Sequence, residues 1–202
     1  MIMHKGCNGI TTFYDENNVI VGTPEMFYHV RLPECEIFGV QDILDWGKYC
    51  SIKYYNGRLY CLCRKDGDTK RKLVVLDSTN YNEIQTWKVC DRDRVGGFAV
   101  MSGKVYVGNR QSIDIYTTKG LLVERVVPPD VKMTTDIIAL GNDRLIICDF
   151  AAGKVLVIKA DGSEEWSVNI DSPIAATTDW LNNLWVWSKD EKKVYVISDE
   201  GK

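Results

Sequence analysis

Short apolar segments, each bounded by polar turns, recur along the whole chain. Five of these segments occupy the same place in a longer repeat, and their first residues are 40, 46, 40 and 39 positions apart. The segments are residues 19–21 (VIV), 59–61 (LYC), 105–107 (VYV), 145–147 (LII) and 184–186 (LWV). They are too short for helices and rich in β-branched and aromatic residues, so they predict strands. A period of about 40 residues in an all-strand sequence indicates radially repeated blades.

The fourth repeat shows the strands of one blade most clearly. Residues 136–140 (DIIAL) predict a strand and precede a turn at 141–143 (GND), whose Gly and Asn suit positive φ angles. Residues 144–148 and 154–158 predict two further strands, and residues 165–168 predict a fourth. Strands joined in sequence by short turns form an antiparallel meander, which is the structure of one blade.

We therefore predict a single all-β domain over residues 1–202, a β-propeller of about five four-stranded antiparallel blades. The fifth repeat ends after its third strand. Either residues 1–4 supply the missing strand and close the ring, or the chain is an open arc of a larger ring. Residues 41–47 are predicted as a short helical or irregular insertion. The approximate units are residues 9–39, 48–90, 96–128, 135–170 and 173–202.

The last repeat resembles the NHL type of propeller blade. Its pattern is a proline, a small-residue inner strand ending near an aspartate, a turn, an aliphatic–aromatic strand, and an alternating strand that closes on a glycine turn. The residues concerned are 172–176 (SPIAA), Asp179, 182–186 (NNLWV), 193–197 (KVYVI) and 200–201 (EG). The resemblance covers roughly residues 50–202 and is shared with lactonase-like and quinoprotein-like propellers. It implies the propeller fold.

Composition and charge exclude several classes of function. The chain is 45% hydrophobic and 26% charged, as in a folded globular protein, and its net charge is −3, which gives no global basic field for nucleic acid or an anionic membrane. No apolar run approaches the ~20 residues of a spanning helix, and the N-terminus has no apolar signal region. The seven cysteines are irregularly spaced, which favours free thiols and a cytoplasmic location. Cys61 and Cys63 are expected to be buried strand residues.

Catalytic candidates are few. His4 and His29 are the two histidines, which cannot support a Ser-His-Asp or Cys-His arrangement. The resemblance to lactonase-like propellers implies an alternative, a metal-dependent hydrolase with carboxylates in a central channel. The metal ligands would then be Asp136, Asp149 and Asp179, with Asn109 at a comparable place. Aspartates at strand ends are also common turn-capping residues, and we favour that role. No cofactor is expected.

Basic residues concentrate in two predicted loops that would share one face of the disc. NHL propellers use such a face for RNA or protein partners, so the resemblance implies a partner surface there. Acidic residues interleave with the basic ones and no aromatic residue lies among them to stack on bases, which favours a protein partner over RNA. The predicted partner-binding residues are Lys65, Lys70, Arg71, Lys72, Arg92 and Arg94.

Two tryptophans of the fifth repeat form a separate feature. Trp185 and Trp187 alternate with Leu184 and Val186, so they share one side of their strand. We expect them in the core between blades, or at a partner site if the arc is open. Taken together, the sequence predicts a non-catalytic protein-interaction module that binds another protein, with self-association through an open blade edge as a further possibility and no membrane contact.

Overall fold

The structure is a computed structural model that describes residues 10–13, 18–22, 26–32, 36–42, 48–64, 71–89 and 96–201. It divides into two compact units, Met1–Asp91 and Arg92–Lys202. The described residues form strands and turns without a helix, and thus include no helix that could span a bilayer. The residues of the predicted N-terminal closing strand, 1–4, lie outside the described part.

The first unit contains two four-stranded antiparallel sheets, each a meander in chain order. Sheet 1 comprises β1 (Ile10–Phe13), β2 (Asn18–Gly22), β3 (Met26–Arg31) and β4 (Glu36–Asp42). Sheet 2 comprises β5 (Lys48–Tyr55), β6 (Arg58–Arg64), β7 (Arg71–Asp77) and β8 (Glu83–Val89). Ile20 of sheet 1 packs with Ile52, Leu59 and Cys61 of sheet 2 in one apolar cluster.

The second unit contains three antiparallel sheets, again meanders in chain order. Sheet 3 comprises β9 (Phe98–Met101), β10 (Lys104–Gly108), β11 (Ile113–Thr117) and β12 (Leu122–Val126). Sheet 4 comprises β13 (Thr134–Leu140), β14 (Arg144–Asp149), β15 (Lys154–Lys159) and β16 (Glu164–Asn169). Sheet 5 has three strands, β17 (Pro173–Thr178), β18 (Leu184–Ser188) and β19 (Lys193–Ile197). The all-β fold class and the repeated small sheets are confirmed, as is the shorter fifth repeat within the described residues.

The turns between first and second strands follow the predicted turn chemistry. Asn56, Ser102 and Asn182 all have positive φ, and Gly57 and Gly103 continue the turn with φ of 74° and 70°. Asn and Gly tolerate this left-handed region better than other residues, so the turn residues in the sequence favour these hairpins among the described turns. The strand boundaries differ from the prediction in the first repeats. Residues 41 and 42 belong to β4 rather than to an insertion, and residues 43–47 are outside the described part.

A bulge near the start of the first strand recurs in three sheets. The register shifts between Tyr49 and Ser51 in β5, between Thr134 and Asp136 in β13, and between Pro173 and Ala175 in β17. A bulge inserts an unpaired residue and re-aims the backbone around it.

The extra residue of β13 is Thr135, which contacts both neighbouring sheets. Its carbonyl accepts a hydrogen bond from Gly97 N at 3.1 Å, on the sheet 3 side, and its hydroxyl donates to Pro173 O at 2.8 Å in sheet 5. The bulge therefore joins three consecutive sheets at one point.

The core of the second unit lies in two layers between its sheets. Tyr106, Ile113 and Ile115 of sheet 3 pack with Ile137 and Ile147 of sheet 4. On its other face, sheet 4 packs against sheet 5 through a second cluster that includes Ile138, Ile146, Val155, Val157, Leu184, Val186 and Ile197. Sheet 4 is buried on both faces, which explains its nearly continuous apolar strands.

Gly97 marks a close approach between sheets 3 and 4. A Cβ atom at this position would lie 2.2 Å from the Oδ1 atom of Asp136, well inside van der Waals contact. The Asp136 carboxylate occupies that space in order to reach two backbone groups. Its Oδ1 atom accepts from Ile137 N at 2.9 Å, and its Oδ2 atom accepts from Ala176 N of sheet 5 at 3.1 Å. Glycine is thus required at 97 so that this carboxylate can connect sheets 4 and 5.

Candidate functional site

Sheet 5 has two faces of similar composition but different surroundings. Because side chains alternate along a strand, Leu184 and Val186 of β18 point to one face while Trp185 and Trp187 point to the other. Leu184 and Val186 are buried against sheet 4, together with Ile197 of β19. This first face is an ordinary sheet–sheet interface.

The opposite face of sheet 5 is apolar and open to solvent. Trp185 is 44% exposed, Trp187 is 37% exposed, and Val194 and Val196 of β19 are each 54% exposed. Ala175 and Thr177 of β17 pair in register with these tryptophans and complete the face. We call these six residues the tryptophan face. All of them except Val196 line a shallow groove, together with Ala176.

The repeat shows that this exposure is exceptional. The middle residue of the apolar segment in each second strand occupies one equivalent position in all five repeats. In the first four repeats its side chain is no more than 2% exposed, whereas Trp185 is nearly half exposed. The five residues are Ile20, Tyr60, Tyr106, Ile146 and Trp185.

The third strand gives the same result. In sheet 4, Val155 pairs with Cys148 and Val157 pairs with Ile146, and this face is the one buried against sheet 5. In sheet 5, Val194 pairs with Trp187 and Val196 with Trp185 in the same register. The tryptophan face therefore corresponds residue by residue to a face that, one repeat earlier, contacts the next sheet. No described residue covers it in sheet 5.

The turn between β17 and β18 orients Trp185. Asp179 Oδ2 accepts hydrogen bonds from Trp185 Nε1 at 3.2 Å and from Asn183 Nδ2 at 2.9 Å. Its Oδ1 atom accepts from Leu181 N and Asn183 N, both at 2.9 Å. The hydrogen bond from the Asn183 side chain is the largest cause that holds the pKa of Asp179 below its ordinary value, and the other bonds add to it. The indole ring is thus held by an ionised carboxylate.

The outer edge of sheet 5 adjoins this face. Within the residues that the structure describes, β19 pairs only with β18, so its other edge has no partner strand. Beside this edge, Tyr195 donates a hydrogen bond to Glu191, whose carboxylate also lies 3.4 Å from Lys193 Nζ. The Tyr195 hydrogen bond lowers the pKa of Glu191. Lys193 and Tyr195 alternate with Val194 and Val196 along β19, so these groups belong to the other side of the sheet, and the tryptophan face itself carries no charge.

The basic residues predicted from the sequence lie largely outside the described part. Lys65, Lys70, Arg92 and Arg94 are not described, so their grouping stays a prediction. Arg71 and Lys72 are the first residues of β7 rather than loop residues, and Arg71 pairs in register with Arg64.

The aspartates predicted as alternative metal ligands all accept hydrogen bonds from nearby backbone groups. The buried Asp149 accepts from Lys132 N at 2.6 Å, Met133 N at 2.9 Å and Ala152 N at 3.0 Å. Asp136 and Asp179 have the contacts given above. Among the described residues, no group of three or more His, Cys, Asp or Glu is placed to hold a metal ion. The metal-site assignment stays a prediction.

The expectation that Trp185 and Trp187 are core residues between blades is wrong, because both are substantially exposed. Their placement on one side of the strand is confirmed. The signal for this site was the alternation in residues 184–187 (LWVW), which places two tryptophans on one face. Alternation does not reveal whether a neighbouring sheet covers that face, so the exposure required the structure.

Comparison with solved structures shows the same fold in proteins of dissimilar sequence. A streptogramin B lyase superposes with a TM-score of 0.75 at 12% identity, covering 100% of this chain and 69% of that one. A protein of unknown function from Bacteroides caccae gives 0.75 at 8% identity, covering 99% and 81%. A chain of the mitotic checkpoint complex gives 0.69 at 11% identity, covering 98% and 62%.

The sequence comparisons give no family. No family model matches the chain, and no curated protein matches it in sequence. The structural likeness shows the fold alone, and the five small sheets are the blades of that fold. The resemblance to propellers is confirmed at this level, and the chain is an all-β propeller protein with five blades.

Proposed function

We propose that this chain is a non-catalytic protein-interaction module and that the tryptophan face is a docking surface. The observation that supports it is the exposure of Trp185, Trp187, Val194 and Val196 at positions whose equivalents in sheet 4 contact the next sheet. Apolar patches of this kind on a soluble domain mark interaction surfaces, and tryptophan is enriched at the energetic centre of such interfaces.

The propeller fold occurs in both enzymes and binding proteins, so the fold alone does not indicate which function this chain has. The propellers of similar fold include a lyase and a chain of the mitotic checkpoint complex. Function therefore has to be argued from the site. The site here is flat, apolar and without a titratable side chain on the face, which suits the burial of a partner surface rather than acid–base chemistry.

Two further features fit this proposal. The basic residues Lys65, Lys70, Arg71, Lys72, Arg92 and Arg94 remain a second proposed contact area. Cys61, Cys63 and Cys148 are buried and form no disulfide bond, which is compatible with a reducing, cytoplasmic setting.

The proposal predicts a partner whose capture depends on the tryptophan face. Quantitative affinity capture from cells would compare the wild-type chain with Val196→Lys, which places a charge on the face beside Trp185, and with Val127→Lys. Val127 directly follows β12 and is 69% exposed, so the control makes the same substitution at an exposed valine elsewhere in the second unit.

We expect at least one protein to be captured by the wild type and Val127→Lys and reduced about tenfold or more with Val196→Lys, since a buried unpaired charge opposes binding. Equal capture by all three baits would contradict this docking surface.

A further inference from the structure

The tryptophan face is suited to a particular kind of partner surface, which deepens the proposed function and rests on it. In sheet 4, the corresponding face is covered by the flat apolar surface of another blade, formed by residues such as Leu184 and Val186. The register of β18 and β19 repeats that of β14 and β15. The partner surface that fits the tryptophan face is therefore the face of a β-sheet.

The charge distribution allows the same face of a second copy to be that surface. Ala175, Thr177, Trp185, Trp187, Val194 and Val196 carry no charge, and the net charge of the whole chain is only −3. Two copies can thus approach face to face without burying an ion or overcoming strong repulsion. The Trp185 and Trp187 rings of facing sheets can pack in offset or edge-to-face geometry, which adds to the burial term.

The area is sufficient for a modest dimer. A buried tryptophan removes about 150–250 Å² from water, so the exposed parts of Trp185 (44%) and Trp187 (37%) amount to roughly 120–200 Å² per copy. The exposed parts of Val194, Val196, Ala175 and Thr177 add to it. Two faces together reach on the order of 1,000 Å², the lower limit for a specific interface and the range of weak, reversible ones.

Symmetry favours this arrangement over pairing at the strand edge. Joining two β19 edges would extend the sheet but would leave the tryptophans in water. Apposing the faces removes them from water and uses the same residues on both copies, which gives a closed two-fold assembly rather than a fibre. We infer that the tryptophan face binds the same face of a second copy of this chain, forming a reversible two-fold dimer.

Sedimentation velocity on the purified full chain, with no other protein present, tests this inference. The expected result is a weight-average mass that rises with concentration from 23.0 kDa toward twice that value and no further. Val196→Lys should raise the dimer dissociation constant at least tenfold, while Val127→Lys should leave it unchanged. Circular dichroism of each variant identifies any loss of folding, and Val194→Lys replaces Val196→Lys if the latter fails to fold.

A measurement on the wild type alone keeps the test independent of variants. Acrylamide quenching of tryptophan fluorescence should decrease as the chain is concentrated, because Trp185 and Trp187 leave the solvent in the dimer. A chain that stays monomeric with constant quenching overturns the inference, as does a mass that grows beyond the dimer or an equal effect of Val196→Lys and Val127→Lys. A monomeric chain that still captures a Val196-dependent cellular protein overturns the dimer and leaves the proposed function standing.

Discussion

At the scale of single residues, Asp179 connects the turn between β17 and β18 to the indole of Trp185. One carboxylate binds the Asn183 side chain, the Trp185 indole and two backbone N–H groups of its turn. The turn that connects two strands is therefore also the support of an exposed aromatic ring. The pKa of Asp179 is lowered chiefly by the Asn183 side chain, so the stability of this turn depends on pH.

The sign of that dependence follows from linkage. The folded pKa of Asp179 lies below the unfolded value of about 3.9, so its contribution is present above about pH 4 and is lost as the pH falls through the folded pKa. Asn183→Ala should destabilise the protein at pH 7, and the difference from wild type should shrink below about pH 4. Urea denaturation at several pH values measures this.

Asn169→Ala serves as the control, because Asn169 is an exposed residue at the end of β16. We expect its effect on the unfolding free energy to be small and independent of pH. A constant difference between wild type and Asn183→Ala from pH 7 to pH 3 would contradict the assigned role of Asp179.

At the scale of elements, the contacts between sheets 4 and 5 combine apolar packing with hydrogen bonds at specific backbone groups. Asp136 lies in β13 but accepts from Ala176 N in β17, while the Thr135 hydroxyl donates to Pro173 O. The bulge in β13 makes both contacts possible by shifting the register between Thr134 and Asp136. The two sheets are thereby aligned along their first strands.

Asp136→Ala should lower the free energy of unfolding by about 1–3 kcal/mol, because the N–H groups of Ala176 and Ile137 lose their acceptor. Asp143, an exposed aspartate in the turn of the same sheet, is the matched control. Asp143→Ala should change stability by no more than about 0.5 kcal/mol. Guanidinium denaturation measures both variants, and similar values for the two would refute the structural role of Asp136.

At the scale of the whole molecule, buried thiols report on each compact unit. Cys61 lies in the first unit and Cys148 in the second, and both are buried. Burial raises the pKa of each thiol well above its ordinary value, with Cys63 adding to the effect at Cys61 and Asp136 at Cys148. Since the thiolate is the reactive form, both cysteines should be inert in the folded protein.

Labelling with a maleimide at pH 8, followed by peptide mass spectrometry, checks this expectation. We expect Cys61 and Cys148 to react at least a hundredfold more slowly in the native protein than in guanidinium, where labelling should be complete. Native labelling of either cysteine at the unfolded rate would show that its unit does not keep the described packing in solution.

The repeat allowed much of the fold to be predicted from the sequence, for reasons that are local. Asn56, Ser102 and Asn182 specify turns through their backbone conformation, and alternation within each strand determines which residues share a face. The bulge at Thr135 was not predictable from the sequence, because Thr135 makes its hydrogen bonds with two other sheets, whose positions local sequence does not specify. Whether a neighbouring sheet covers a face also depends on residues distant in sequence. For this reason the sequence predicted burial for Trp185, as is found for its equivalent Ile146.

The connections between sheets 4 and 5 also bear on the entropy of any association. At its first strand, sheet 5 is attached to sheet 4 by the hydrogen bond from Thr135. Beyond its last strand, Asp199 makes two more: its backbone carbonyl accepts from Trp166 Nε1 at 3.1 Å, and its carboxylate accepts from Arg144 Nη2 at 3.1 Å. A surface held in this way loses little conformational freedom when it is covered, so most of the apolar burial remains available as affinity. Association on this surface should thus be signalled by a negative heat-capacity change without the large unfavourable entropy of coupled folding.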